Sequence, residues 1–89
     1  METKINNYRK QIDLIDHRVI NLLSKRMSVV KKIGEWKKKN GLPPLDKTRW
    51  LEVLADKMKK AEKLNIDQTM VKKIYEAIHK EALKIEKQI

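Results

Sequence analysis

Four arginines, Arg9, Arg18, Arg26 and Arg49, stand among the 22 basic residues of this 89-residue chain. They are the side chains best suited to chemistry. Arginine forks onto a carboxylate or phosphate through two parallel hydrogen bonds, whereas lysine acts as a point charge. Arg26 is the most informative because of where it falls. Apolar residues recur at Ile5, Tyr8, Ile12, Ile15, Val19 and Leu22, then at Val29, Ile33 and Trp36, in alternating steps of three and four. This is a coiled-coil type seam, and Arg26 occupies one of its positions. An arginine there either snorkels to the seam edge, pairs with an acid, or marks a functional site. Lys37 follows eleven residues later. At about 100° and 1.5 Å per residue it projects from nearly the same face, about 16.5 Å further along. Two long cations so placed can grip a small dianion between them. Arg9 lies about 25 Å before Arg26 on the same helix. It cannot easily reach that pocket in its own chain, but in an antiparallel dimer a second chain's Arg9 can.

Most other site classes are absent. There is no cysteine, which excludes disulfides, thiolate metal sites and cysteine catalysis. There is no glycine-rich phosphate loop, no His-x-x-x-His pair and no acidic calcium loop. No metal site is therefore expected. His17 and His79 stand alone, and each reads as a surface or satisfied histidine. Ser24 and Ser28 have no histidine nearby on the same helix to act as a base. The net charge of +10 suits nucleic acid, an anionic membrane surface or a small anionic substrate. Its plainest reading is a lysine-rich solvated surface.

These side chains need a scaffold, and the breakers define it. Asn40-Gly41-Leu42-Pro43-Pro44 is a strong loop signal and Leu64-Asn65-Ile66-Asp67 a weaker one. They leave helices over about 4–39, 47–64 and 67–88, with no strands, in a single domain spanning 1–89. Asp46 and Asp67 are candidate N-caps. Trp50, Leu51, Val53, Leu54, Met58, Ala61 and Leu64 give the second helix an apolar stripe. Val71, Ile74, Tyr75, Ile78, Ala82 and Ile85 do so for the third. Both stripes read as core. The first helix is about 50 Å long, whereas a globule of this size has a radius of gyration of about 12 Å. Two short helices cannot cover it, so the expected architecture is all-α, with one long and two shorter helices intertwined in a two-fold homodimer. The opening METKINNYRK has no apolar stretch of signal-peptide length. No run approaches a membrane span. A cytoplasmic location is expected.

At this point the sequence resembles a known family. Tyr8-Arg9-Lys10-Gln11-Ile12-Asp13-Leu14-Ile15-Asp16 resembles the opening L-R-x-x-I-D-x-I-D of the all-helical chorismate mutases. The likeness continues through Leu22-Leu23-Ser24-Lys25-Arg26, Ile33-Gly34-Glu35-Trp36-Lys37 and Pro43-Pro44-Leu45-Asp46-Lys47-Thr48-Arg49, to the closing Ile74-Tyr75-Glu76-Ala77-Ile78. It implies rearrangement of chorismate to prephenate in Phe and Tyr biosynthesis, a one-substrate pericyclic step needing no cofactor. By this resemblance Arg26 and a second subunit's Arg9 hold the two carboxylates. Lys37 donates to the ether oxygen and a carboxylate. Arg49 supports the pocket electrostatically, and Asp46 helps to hold the ring hydroxyl. The substrate is a small dicarboxylate, with no nucleic acid or membrane as partner.

Three positions depart from the family's usual pattern. Trp50 stands where a glutamate usually binds the ring hydroxyl, and an indole N–H donates but cannot accept. Ala82 replaces a serine that often touches a carboxylate. Glu86 replaces a glutamine that donates to the ether oxygen. A carboxylate at position 86 repels the developing oxyanion and serves only when protonated. Activity is then expected to fall as pH rises, and Glu86→Gln to flatten the profile. The altered hydroxyl site keeps an isochorismate-pyruvate lyase on the same fold as the alternative. A basic nucleic-acid-binding module and a purely structural coiled-coil partner are further readings. The first lacks a clear basic stripe, and the second leaves Arg26 as a device to fix register.

Overall fold

A computed structural model describes residues 2–89 as three helices: α1 (Glu2–Lys39), α2 (Lys47–Lys63) and α3 (Gln68–Lys87). Each boundary lies within two residues of the sequence expectation. The ends are built by recognisable local chemistry. Asp46 and Asp67 are N-caps, their carboxylates accepting from the backbone N–H of Arg49 at 3.0 Å and of Met70 at 2.8 Å. α1 closes on Gly41 in the left-handed region (φ 66). There the Leu42 N–H donates back to the Lys37 carbonyl at 2.9 Å and the Gly41 N–H to that of Lys38 at 3.4 Å. This is the paired C-terminal closure that a left-handed residue permits. α2 ends the same way, with Asn65 (φ 54) in glycine's place and Ile66 donating to Ala61 at 2.9 Å. Asparagine tolerates this backbone better than other side chains with a Cβ.

α3 is the central element: it packs on both α1 and α2, while α1 and α2 do not pack on each other. The C-terminal ends of α1 and α3 lie side by side. Lys38 donates to the Ile89 carbonyl at 3.0 Å. α2 is tied to α3 by Gln68, which donates to the Met58 carbonyl at 3.1 Å, and by Lys57 over the Tyr75 ring at 5.7 Å. The buried apolar side chains among the described residues are Val30, Ala61 and Ala82.

The long helix is poorly covered, as its length required. Ile5, Tyr8, Ile12, Ile15 and Val19 are all about half exposed. The chain measures 59 × 25 × 15 Å, and its radius of gyration is 16.8 Å, against about 12 Å for a compact chain of this length. It exposes 7730 Å², where a compact monomer of equal mass exposes about 5,500 Å². The core expectation for the shorter helices holds only in part. Leu51, Leu64 and Ile74 are 53%, 56% and 46% exposed, because their stripes are wider than the contact with α3.

The helices approach closely at Gly34, which is buried against the last turn of α3. A Cβ there would lie 3.2 Å from the Glu86 Cα and 3.0 Å from its Cγ. Backbone so close cannot swing aside. Overpacking costs about 1–3 kcal/mol. Gly34→Val is therefore expected to lower Tm by at least about 4 °C, measured by circular dichroism at fixed protein concentration. An unchanged Tm would mean that the helices separate freely at this point.

Candidate functional site

Because α1 and α2 meet only through α3, a gap remains between them. It is a cavity of about 590 Å³. α3 supplies its floor with His79, Ala82, Leu83 and Glu86. α1 forms one wall, from Leu22 to Lys37, and the second wall runs from Pro44 to Val53. Arg26 and Lys37 both line it, as their eleven-residue spacing requires. The N-terminus of α2 also opens here, adding the partial positive charge of its free N–H groups.

Lys37 is the best-held cation. Its Nζ donates to the Pro44 carbonyl at 2.6 Å and lies 2.8 Å from Oε1 of Glu86. The side chains are 18% and 9% exposed. The second contact is close but not aligned as a hydrogen bond, which leaves Oε1 of Glu86 buried with no hydrogen-bonding partner. A buried oxygen in that condition favours a ligand that brings a donor. Arg26 is half-buried against the same cavity.

Arg49 and Asp46 lie at the rim. Both are exposed and both line the cavity. Arg49 has a solvent-exposed contact of 3.8 Å with Glu52, which holds it weakly. Asp46 is occupied by its capping bond. Arg9 is exposed and does not line the cavity. Five of the six expected site residues thus converge within one chain, and Arg9 stands apart.

Two features go beyond the sequence reading. Trp50 is a wall residue stacked on His79, with centroids 4.0 Å apart and planes 8° from parallel. His79 was expected to be a surface or satisfied histidine. Instead it is half-buried at the cavity floor. The signal was present. His79 precedes Glu86 by seven residues, about two turns, so the two share a face of α3. Burial lowers the His79 pKa below its usual 6.5. Glu86 acts the other way, and the cations Arg26 and Lys37 add to the lowering. Among the described residues no group of His, Cys, Asp and Glu could hold a metal, and no helix is long and apolar enough to cross a membrane.

The fold and the cavity define a small all-helical protein whose cations converge on a partly enclosed, mostly apolar hollow. The profile of the family described as chorismate mutase type II matches residues 8–87. A chorismate mutase from Methanocaldococcus jannaschii is 31% identical over 85 residues, covering 93% of this chain and 86% of that protein. A T-protein from Enterobacter agglomerans is 30% identical over 82 residues, 92% of this chain. Another from Haemophilus influenzae is 27% identical over 84 residues, 94% of this chain. The chain spans 22% of the length of each T-protein. It belongs to the chorismate mutase type II family.

The lowered His79 pKa has a consequence for stability. The unfolded chain binds this proton more readily, so stability is full well above pH 6.5 and declines as pH falls toward the folded value. His79→Phe keeps an aromatic ring and removes the titration. Between pH 7.5 and 5.5, the wild-type Tm is expected to fall relative to that of the variant. A parallel response of both proteins would place His79 in free solvent.

Proposed function

We propose that the protein rearranges chorismate to prephenate, in the biosynthesis of Phe and Tyr. The observation that carries this reading is the convergence of Arg26, Lys37 and Glu86 on one partly enclosed cavity, in a chain of this family. The reaction breaks an ether C–O bond as a C–C bond forms, within one molecule. It requires no nucleophile. The protein's work is to hold a flexible dianion in its reactive fold and to stabilise negative charge on the departing ether oxygen. Arg26 forks onto one carboxylate. Lys37, fixed by the Pro44 carbonyl, donates to the ether oxygen and a carboxylate. Glu86 lies beside that ammonium and donates to the same oxygen when it carries a proton. Arg49 adds positive potential at the rim. Asp46 holds the ring hydroxyl, in part through its backbone.

The cavity lacks a second arginine deep inside for the other carboxylate. Arg9 of a partner subunit supplies it in an intertwined homodimer. The exposed stripe from Ile5 to Val19 supports that assembly. So does the excess of about 2,200 Å² over a compact monomer, an area of obligate-dimer size. A cytoplasmic setting accords with this biosynthetic role.

Purified protein incubated with chorismate is expected to yield prephenate. Arg26→Ala and Lys37→Ala are each expected to lower kcat/KM by about 10²–10³. Release of pyruvate from isochorismate without prephenate from chorismate would favour the lyase reading, which the tryptophan at position 50 keeps open. Inactive Arg9→Ala and Lys37→Ala chains, refolded together, are expected to regain activity through mixed dimers with one intact pocket. No recovery would place Arg9 outside the site. Wild-type activity is expected to fall as pH rises, and Glu86→Gln to flatten that fall. An unchanged profile in this variant would remove Glu86 from the chemistry.

A further inference from the structure

The cavity holds more donors than acceptors. Arg26, Lys37 and Arg49 only donate, and the Trp50 indole only donates. Asp46, at the exposed rim, spends one carboxylate oxygen on the Arg49 N–H, and Glu86, whose Oε1 has no hydrogen-bonding partner, lies against the Lys37 ammonium on the side assigned to the ether oxygen. Carboxylates and an ether oxygen are well served by such a set, because they accept. A hydroxyl is served less well, since its proton needs an acceptor and Asp46 offers one only from the exposed rim. His79 lines the same cavity and takes part in none of the side-chain hydrogen bonds found among the described residues. Its plane is set by the stack on Trp50.

We infer that His79 is a specificity-determining residue: its imidazole, held flat against Trp50 at the cavity floor, accepts the proton of a substrate ring hydroxyl. Trp50 and His79 together then take over the task for which Trp50 alone is chemically unfit. Burial favours the neutral ring, and a neutral imidazole keeps one nitrogen lone pair free. A protonated one would keep none. The inference deepens the mutase reading and rests on it.

The test pairs two ligands with three proteins. The ligands are chorismate and a cyclohexadienyl dicarboxylate of the same skeleton without the ring hydroxyl. The proteins are wild type, His79→Phe and His79→Gln, with binding measured by calorimetry and turnover of chorismate measured alongside. His79→Phe is expected to weaken chorismate binding about 3- to 10-fold and to leave the deoxy ligand unchanged. His79→Gln, which restores an acceptor oxygen, is expected to recover part of the loss. Equal weakening of both ligands would make His79 a packing residue and overturn the inference, as would no weakening at all. Should His79→Phe fail to fold, ¹⁵N spectra of wild type decide the matter. The unprotonated His79 nitrogen is expected to shift on adding chorismate but not on adding the deoxy ligand, and an equal response to both would overturn the inference. Wild type that binds chorismate without turnover would sink the mutase reading alone. Wild type that does neither would sink both.

Discussion

The Lys37 ammonium is the junction on which the site depends. It is carried by the last turn of α1, reaches the Pro44 carbonyl in the loop leading to α2, and lies against Glu86 near the end of α3. One charge thus ties the loop before α2 to the packed pair of α1 and α3, a link that matters because α1 and α2 do not pack on each other. The arrangement is costly in isolation. Lys37 and Glu86 are largely withdrawn from water, and their attraction must offset desolvation. Such pairs are retained more readily for what they position than for net stability. Here what is positioned is a cation in the wall of the cavity.

Gly34 is the complementary device. By omitting a side chain one turn before Lys37, it lets the last turn of α3 come close enough for Glu86 to face the ammonium. Trp50 and His79 do the equivalent work between α2 and α3, where a broad aromatic surface replaces a charge. The cavity is therefore bordered at one end by an ion pair and on its floor by a stack. Both are specific in geometry, and neither needs a large buried core.

Local features were legible in the sequence because they rest on short-range chemistry. Asp46 and Asp67 cap the helices as their types and positions suggested, and Gly41 closes α1. The shared face of Arg26 and Lys37 followed from helical arithmetic. What was lost lay between helices. His79 looked solitary because its neighbours are Trp50, on another helix, and Glu86, two turns away. Leu51, Leu64 and Ile74 read as core because periodicity reports an apolar face without saying how much of it a neighbour covers. Arg9 differs again: its place relative to the cavity depends on assembly, which the geometry of one chain does not contain.

The side-by-side C-terminal ends of α1 and α3 also shape the approach of ligands. Lys37, Lys38 and Lys39 crowd the last turn of one helix, and Lys84 and Lys87 that of the other. They outweigh the negative ends of the two helix dipoles and give this end of the molecule, which carries Lys37 of the cavity wall, a positive potential. A small anion diffusing nearby is drawn toward that end before it touches the protein. Added salt shortens the reach of that field to about 8 Å at physiological ionic strength. Capture therefore slows in brine, while contacts inside the sheltered hollow hardly change.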